Sequence, residues 1–234
     1  MKDIAASCCC ASPKWLKVLV EPDSTIEMRV LRDSGAPTVR HYPSSDLSEM
    51  ACDAVQFNQG SKGIYWLMNS LPIDWRGSPA KDGDIVRRRW LLIDCDPKRE
   101  GTVSSTAEEK DAARQMMVAV DAYRADCGWP APIIADSRNG FHLLYRIDLP
   151  GDDAGLVHRV LKALAKRFDY DAVSLDTKVA NASRICKLYG TVSRKGEHTA
   201  ERPHRGSTII SIPDHLNRRS TGCCTGREVE ECCR

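Results

Sequence analysis

The sequence lacks any apolar run near the roughly 20 residues that cross a bilayer, so no membrane partner is expected. Its first residues lack the apolar segment of a secretory signal, which points to a cytoplasmic protein with reduced thiols. It has no internal repeats and no long low-complexity tracts, so it does not read as a solenoid or a fibrous chain. Net charge is small too, at +2. Cysteine is abundant, eleven in all, yet the C-x₂₋₄-C spacing of a zinc site is missing. Cys8, Cys9 and Cys10 are consecutive, and Cys223-Cys224 and Cys232-Cys233 are adjacent pairs. Zinc held by the tail pairs with His215 is therefore the lesser alternative. Residues 1–13 are expected to be disordered, and residues 214–234 to form a flexible Cys-rich tail.

What is present suits a globular domain. At 234 residues with 42% hydrophobic content, the chain can bury a substantial core. The small net charge conceals an uneven distribution. Between Arg184 and Arg219 eight Lys/Arg stand against three acids, a local +5 that suits either a solvated face or a phosphate-rich partner.

The rest of the chain is organised around Trp90-Leu91-Leu92-Ile93-Asp94-Cys95-Asp96-Pro97. A short apolar run closed by a breaker predicts a buried strand. Side chains alternate along a strand, so Asp94 and Asp96 share a face and Cys95 takes the other. Two carboxylates that close repel unless a cation lies between them. The pair is either a site for hard divalent metal, Mg²⁺ or Mn²⁺, or a turn that merely stops the strand.

Around this strand, Lys14–Val20 and Ile26–Leu31 are predicted as strands, followed by polar sequence to Ser45. Ser45 or Asp46 caps a helix to Asn58, and Gly63–Met68 is a strand. Thr106 with Glu109 forms a capping box for a helix ending near Gly128. Ile133–Ala135 and Phe141–Ile147 form a hairpin over Ser137-Arg138-Asn139-Gly140. Asp152 or Asp153 caps a second helix to Phe168, and Val173–Asp176 and Ile185–Tyr189 follow as strands. The fold class is α+β: an RNA-recognition-like split βαβ sheet preceded by a smaller α/β module. One domain over 14–213 is expected, with modules at 14–85 and 86–213.

Three constellations line up on that order. The carboxylate pair ends the first strand. Ser137, Gly140 and His142 lie in and after the hairpin turn, where glycine permits close backbone approach and the imidazole can donate to phosphate. The third is Asp176 with Asn181, Arg184 and the basic stretch to Lys195.

These residues resemble the archaeo-eukaryotic primase superfamily, in particular the primase-polymerases of phages and mobile elements. That family carries an hhhDhD strand, an S-G-x-G-x-H turn and a third hD motif. Here they read Leu92-Ile93-Asp94-Cys95-Asp96, Ser137-Arg138-Asn139-Gly140-Phe141-His142 and Leu175-Asp176. Asp176-Thr177-Lys178-Val179, Asn181-Ala182-Ser183-Arg184, Leu188-Tyr189-Gly190-Thr191 and the segment from Gly63 to Asn69 add to the likeness, which spans roughly 15 to 213. Arg138 departs from it, standing where the family often has glycine.

The resemblance implies a template-dependent nucleotidyltransferase, a DNA primase or DNA polymerase, acting on single-stranded DNA and nucleoside triphosphates in a bacterial or viral replication context. Asp94, Asp96 and Asp176 would be catalytic and hold two Mg²⁺ or Mn²⁺ ions. Ser137, His142, Arg184, Lys187 and Lys195 would bind nucleotide, with Arg194 a further phosphate contact. A helicase domain often follows in such proteins, so a separate replicative helicase is an expected partner. The alternative is a catalytically inactive replication-associated nucleic-acid-binding domain of the same fold. Phe141 and Tyr145 fit base stacking only loosely. A metal-dependent nuclease also needs clustered acids, but it has no evident use for His142 beside a basic cluster.

Overall fold

The computed structural model describes residues 14–217. The consecutive and tail cysteines, Arg218 and Arg219 lie outside those residues. The chain begins with α1 (Lys14–Leu19) and builds a first sheet from β1 (Ser24–Leu31), β2 (Thr38–Pro43), β3 (Gly63–Leu67) and β4 (Leu71–Pro72), with α2 (Leu47–Asn58) packed on it. The second sheet starts with β5 (Arg87–Pro97). It continues through α3 (Ala107–Asp126), β6 (Ile133–Asp136), β7 (Phe141–Pro150), α4 (Leu156–Phe168) and β8 (Val173–Leu175). Next come β9 (Ile185–Lys187), β10 (Thr208–Ser211) and the short α5 (Asp214–Asn217).

The second sheet has the order β10-β6-β7-β5-β8, every pair antiparallel. With β10 set aside, β5, β6, β7 and β8 stand in the order 4-1-3-2 of a split βαβ sheet. The α+β class expected from the sequence is thus observed. One further strand departs from the expected modules. The β9 strand leaves the second sheet and pairs with β3, so the first sheet reads β2-β1-β3-β9, with β4 against β1. The 86–213 span therefore completes the sheet of the 14–85 span.

Alternation on β5 assigns the two faces of the second sheet. Leu91, Ile93 and Cys95 are fully buried, and their β7 neighbours Tyr145, Leu143 and Phe141 share that face. Tyr145 donates from its hydroxyl to Asp121 of α3, so this is the helix-covered face. Trp90, Leu92, Asp94 and Asp96 take the opposite face, where Trp90 Nε1 donates to the Leu19 carbonyl of α1. The carboxylate pair consequently looks toward the N-terminal sheet, away from α3.

Several local expectations hold. Thr106 Oγ1 accepts from Glu109 N and Glu109 reaches back to Thr106 N, the reciprocal cap the sequence predicts, worth about 1 kcal/mol. Gly128 ends that helix in a left-handed conformation, φ +81°.

Other expectations need correction. Lys14–Leu19 is helical, where a strand was predicted; Leu16 and Leu19, three apart, are both buried on one helical face. The polar stretch before Ser45 contains β2, an edge strand whose Arg40 and His41 suit a sheet margin. At α2 the Asp46 carboxylate makes no cap bond and instead accepts from Ser45 Oγ. At α4 the cap position is Gly155 in a left-handed conformation, while Asp153 accepts from Val157 N. The expected tail boundary at 214 falls inside the contacts of the fold, because Leu216 packs against the core. Among the described residues, Cys95, Cys127 and Cys186 are free thiols. Among the described residues no helix is long and apolar enough to cross a membrane.

Candidate active site

Between the two sheets lies a cavity of about 340 Å³. The second sheet lines it with Asp94 and Asp96 of β5 and His142 of β7, and the first sheet lines it with Tyr65 of β3 and Cys186 and Lys187 of β9. Ser137 and Asn139 of the hairpin turn, Asp176, Arg184, Ser193 and Lys195 complete the wall. All eight residues singled out as catalytic or nucleotide-binding thus surround one space.

Cross-strand register sets the centre. Asp94 of β5 pairs with His142 of β7, and their side chains meet with Nε2 3.4 Å from Oδ1. That is longer than a good N–H···O bond, and Asp94 Oδ1 is buried with no hydrogen-bond partner. The other ring nitrogen is held firmly: His142 Nδ1 lies 2.8 Å from the Tyr189 hydroxyl, with Cys186 Sγ 3.5 Å away. Burial disfavours the imidazolium, but Cys186 and Asp94 outweigh it and hold His142 well above its ordinary value. Burial likewise disfavours the Asp94 carboxylate. Here His142, with Arg184 and Lys195 beyond it, prevails and holds Asp94 below the usual range.

Asp96 behaves oppositely. Burial and the neighbouring Asp94 push it up to about 6, against the opposing effect of Arg99, whose nearest nitrogen is 3.4 Å away. The turn glycine sits against this carboxylate. A Cβ on Gly140 would lie 2.1 Å from the Cys95 carbonyl oxygen and 2.9 Å from Asp96 Oδ1. Only glycine lets the hairpin close onto the pair. Ser137 closes the same turn, its Oγ accepting from Gly140 N at 3.2 Å.

Asp176 lines the cavity but is otherwise engaged. It accepts from Lys178 N, and Arg184 lies 3.5 Å from its other oxygen. Among the described residues no group of three or more His, Cys, Asp or Glu is gathered as a ready metal cage. The donor chemistry that fits a hard divalent ion is the pair Asp94 and Asp96, with an orphaned oxygen on one and a charge-repelled carboxyl on the other.

On the opposite wall, Lys187 pairs in register with Tyr65, and its Nζ lies 5.2 Å from the centre of that ring. Arg194 donates from Nη1 to the carbonyls of Asn58 and Ser61. Tyr65, Tyr189, Cys186 and Ser193 carry no chemical signal of their own in the sequence. Tyr65 and Tyr189 did fall in stretches quoted for their family likeness; Cys186 and Ser193 carry no motif and reach the cavity only through β9 pairing with β3 and the loop after it.

The two antiparallel sheets with their helices form an α+β fold similar to that of a primase catalytic domain. The particular likeness is to the primase RepB′, with a TM-score of 0.52 and 12% identity over 94% of this chain and 59% of that one. The RepB′ catalytic domain in complex with initiator DNA gives the same TM-score and identity, over 94% of this chain and 89% of that one. This chain thus spans 59% of the longer RepB′ structure and most of its catalytic domain. No family model and no curated protein matches the sequence.

Proposed function

We propose that the chain is a template-dependent nucleotidyltransferase, a DNA primase or DNA polymerase, joining nucleoside triphosphates on single-stranded DNA. The observation that carries this reading is one cavity with Asp94 and Asp96 on one wall and Lys187 on the facing one, joined by Arg184 and Lys195. That polarity suits a ligand bearing both a phosphate chain and a bound cation. Asp94 and Asp96, with Asp176 turning from Arg184, would hold the two Mg²⁺ or Mn²⁺ ions. Bound there, the ions would supply the Lewis acidity that activates a hydroxyl and neutralises departing pyrophosphate.

The remaining work falls to the side chains. His142 is locked by Tyr189 on Nδ1, which leaves Nε2–H, only loosely engaged by Asp94, as a donor to a phosphate oxygen. Arg184 supplies positive charge to the triphosphate; Lys187 and Lys195, whose ammonium forms burial disfavours, would take up charge against its phosphates, and Ser137 adds a hydroxyl at the turn. The initiator DNA of the RepB′ complex supports a DNA template for this chain as well.

A second reading, a non-catalytic DNA-binding domain, draws on the engagement of Asp176 by Arg184 and Lys178. Incubation with unprimed single-stranded DNA, labelled nucleotides of both sugars and Mg²⁺ or Mn²⁺ separates the two. Metal-dependent product supports the enzyme; template binding without any product under either metal supports the binding domain.

A further inference from the structure

Arg184 brings its guanidinium to the cavity from an irregular stretch, between the 3-10 turn Thr177–Ala180 and β9. Within that stretch its N–H donates to the Asn181 carbonyl at 3.2 Å. Much of what holds it comes from distant parts of the chain. The Arg184 carbonyl accepts from Met68 N at 3.1 Å, and the Ala182 carbonyl accepts from Asn69 Nδ2 at 2.9 Å. Asn69 is buried, and its Oδ1 accepts from Arg89 N of β5. These bonds fasten one side of the stretch to the end of β3 and the start of β5.

The other side is held by one carboxylate oxygen. Asp82 Oδ1 accepts from Ser183 N at 2.8 Å, from Ser183 Oγ at 2.7 Å and from Asn181 Nδ2 at 3.3 Å. Asp82 stands on the 3-10 turn Asp82–Asp84, which leads into β5. The bland reading is that its carboxylate caps that turn. The cap belongs to Asp84 instead, whose Oδ2 accepts from Lys81 N at 2.8 Å. Asp82 Oδ1 reaches residues 99 and 101 positions away. The Ser183 bonds hold its carboxyl below the usual carboxylate range although the side chain is exposed. Three donors on one ionised oxygen fix a geometry firmly, because any shift of the turn breaks them together. The residue after Ser183 is Arg184, whose guanidinium already has one anion nearby, Asp176 Oδ2 at 3.5 Å. Where the turn sits therefore sets how far Arg184 reaches past Asp176 into the cavity.

We propose that Asp82 is a positioning residue of the site, fixing the Asn181–Ser183 turn so that Arg184 meets the phosphate chain of an incoming nucleotide. Asp82 is not part of the cavity wall and acts through Arg184. The inference rests on the nucleotidyltransferase reading for the ligand's identity, a nucleoside triphosphate. It goes beyond that reading by making the loop before β5 a support of the site.

The test is a double-mutant cycle on the full chain, titrated with nucleoside triphosphates of both sugars in the presence of Mn²⁺. Asp82→Ala is expected to weaken nucleotide affinity about tenfold, the order of one misplaced charge-assisted hydrogen bond. Affinity for single-stranded DNA should not change, and in turnover KM should rise with kcat nearly constant. Asp82→Asn keeps an acceptor oxygen at that place and should restore most of the affinity. Arg184→Ala should lose at least as much as Asp82→Ala, and combining the two should cost nothing further. Should Asp82→Ala fold poorly, Ser183→Ala, which removes one of the three donors, runs the same cycle with Arg184→Ala. Additive losses in the two backgrounds would overturn the proposal, since they are what a merely structural Asp82 gives. Equal damage from Asp82→Asn and Asp82→Ala, or no nucleotide binding by wild type, would overturn it as well. Nucleotide incorporation, measured in parallel, keeps the two readings apart. Incorporation by wild type with additive losses removes only the role of Asp82. Coupled losses of nucleotide binding without any incorporation remove the enzyme and leave Asp82 as the support of a nucleotide seat.

Discussion

Asp94 and His142 face each other across the β5–β7 pair, each answering the other's burial with opposite charge. Asp96, two residues on, has no such partner on the sheet and is repelled by Asp94. The two carboxylates therefore differ in what they do for the fold, although the proposed chemistry needs both.

Their alanine variants should diverge in stability and agree in activity. Asp94→Ala strands a buried imidazolium, and we expect a loss of about 1–3 kcal/mol. Asp96→Ala relieves repulsion and should leave metal-free stability equal or higher. Both should abolish incorporation while sparing single-stranded DNA binding. Denaturation and filter binding on the two variants provide the check; substantial incorporation by either contradicts the assignment.

His142→Ala should weaken nucleotide affinity by one to two decades, the worth of a charge-assisted hydrogen bond of about 1.5–3 kcal/mol. Affinity for template without nucleotide should not change. Tyr189→Phe removes the hydroxyl that holds Nδ1 and should give a smaller loss in the same direction. Nucleotide titrations with metal present decide the matter. Equal affinities with lowered stability would make His142 a core residue only.

The pH dependence follows from Asp96. Its carboxyl is raised from 3.8 to about 6 in the fold, so between those values the native state binds more protons than the unfolded chain. Stability must then fall as pH rises from about 4 to about 6. Divalent cation displaces that proton, so its stabilising effect should be larger at pH 7 than at pH 5. Melting curves with and without Mn²⁺ at the two pH values test this. Asp96→Asn should flatten the metal-free slope relative to wild type, and an unaltered slope would refute the assignment.

Template binding should weaken steeply between about 50 and 200 mM salt, because Lys and Arg contacts release counterions from phosphate. Arg194→Ala should reduce the salt slope little, since Nη1 anchors that side chain to the Asn58 and Ser61 carbonyls. Binding titrations across ionic strength measure both; binding indifferent to salt would contradict a phosphate-backbone interface.

The order of the split βαβ unit was legible in the sequence because its signals are local. Alternation on β5, the Thr106–Glu109 box and the Gly140 turn each depend on near neighbours in the chain. The same alternation put Asp94 and Asp96 on one face before any tertiary information. Helix α1 and strand β2 differ from the sequence expectation because a short apolar run does not separate helix from strand and β2 is largely polar; contacts with distant elements decided their form. Leu19 meets Trp90, and Tyr42 of β2 donates to Asp53.

The cavity itself belongs to tertiary structure alone. Nothing near Lys187 in the chain says that β9 will leave the second sheet and pair with β3. That pairing places Lys187 beside Tyr65, more than a hundred residues away, and turns a basic stretch into a wall facing two aspartates. Residue types and local spacing determine which chemistry is available. Long-range strand pairing and the burial it enforces determine which charges meet, and hence that Asp94 is held below the usual carboxylate range, Asp96 is pushed up to about 6, and the Arg138 guanidinium is left without a hydrogen-bond partner.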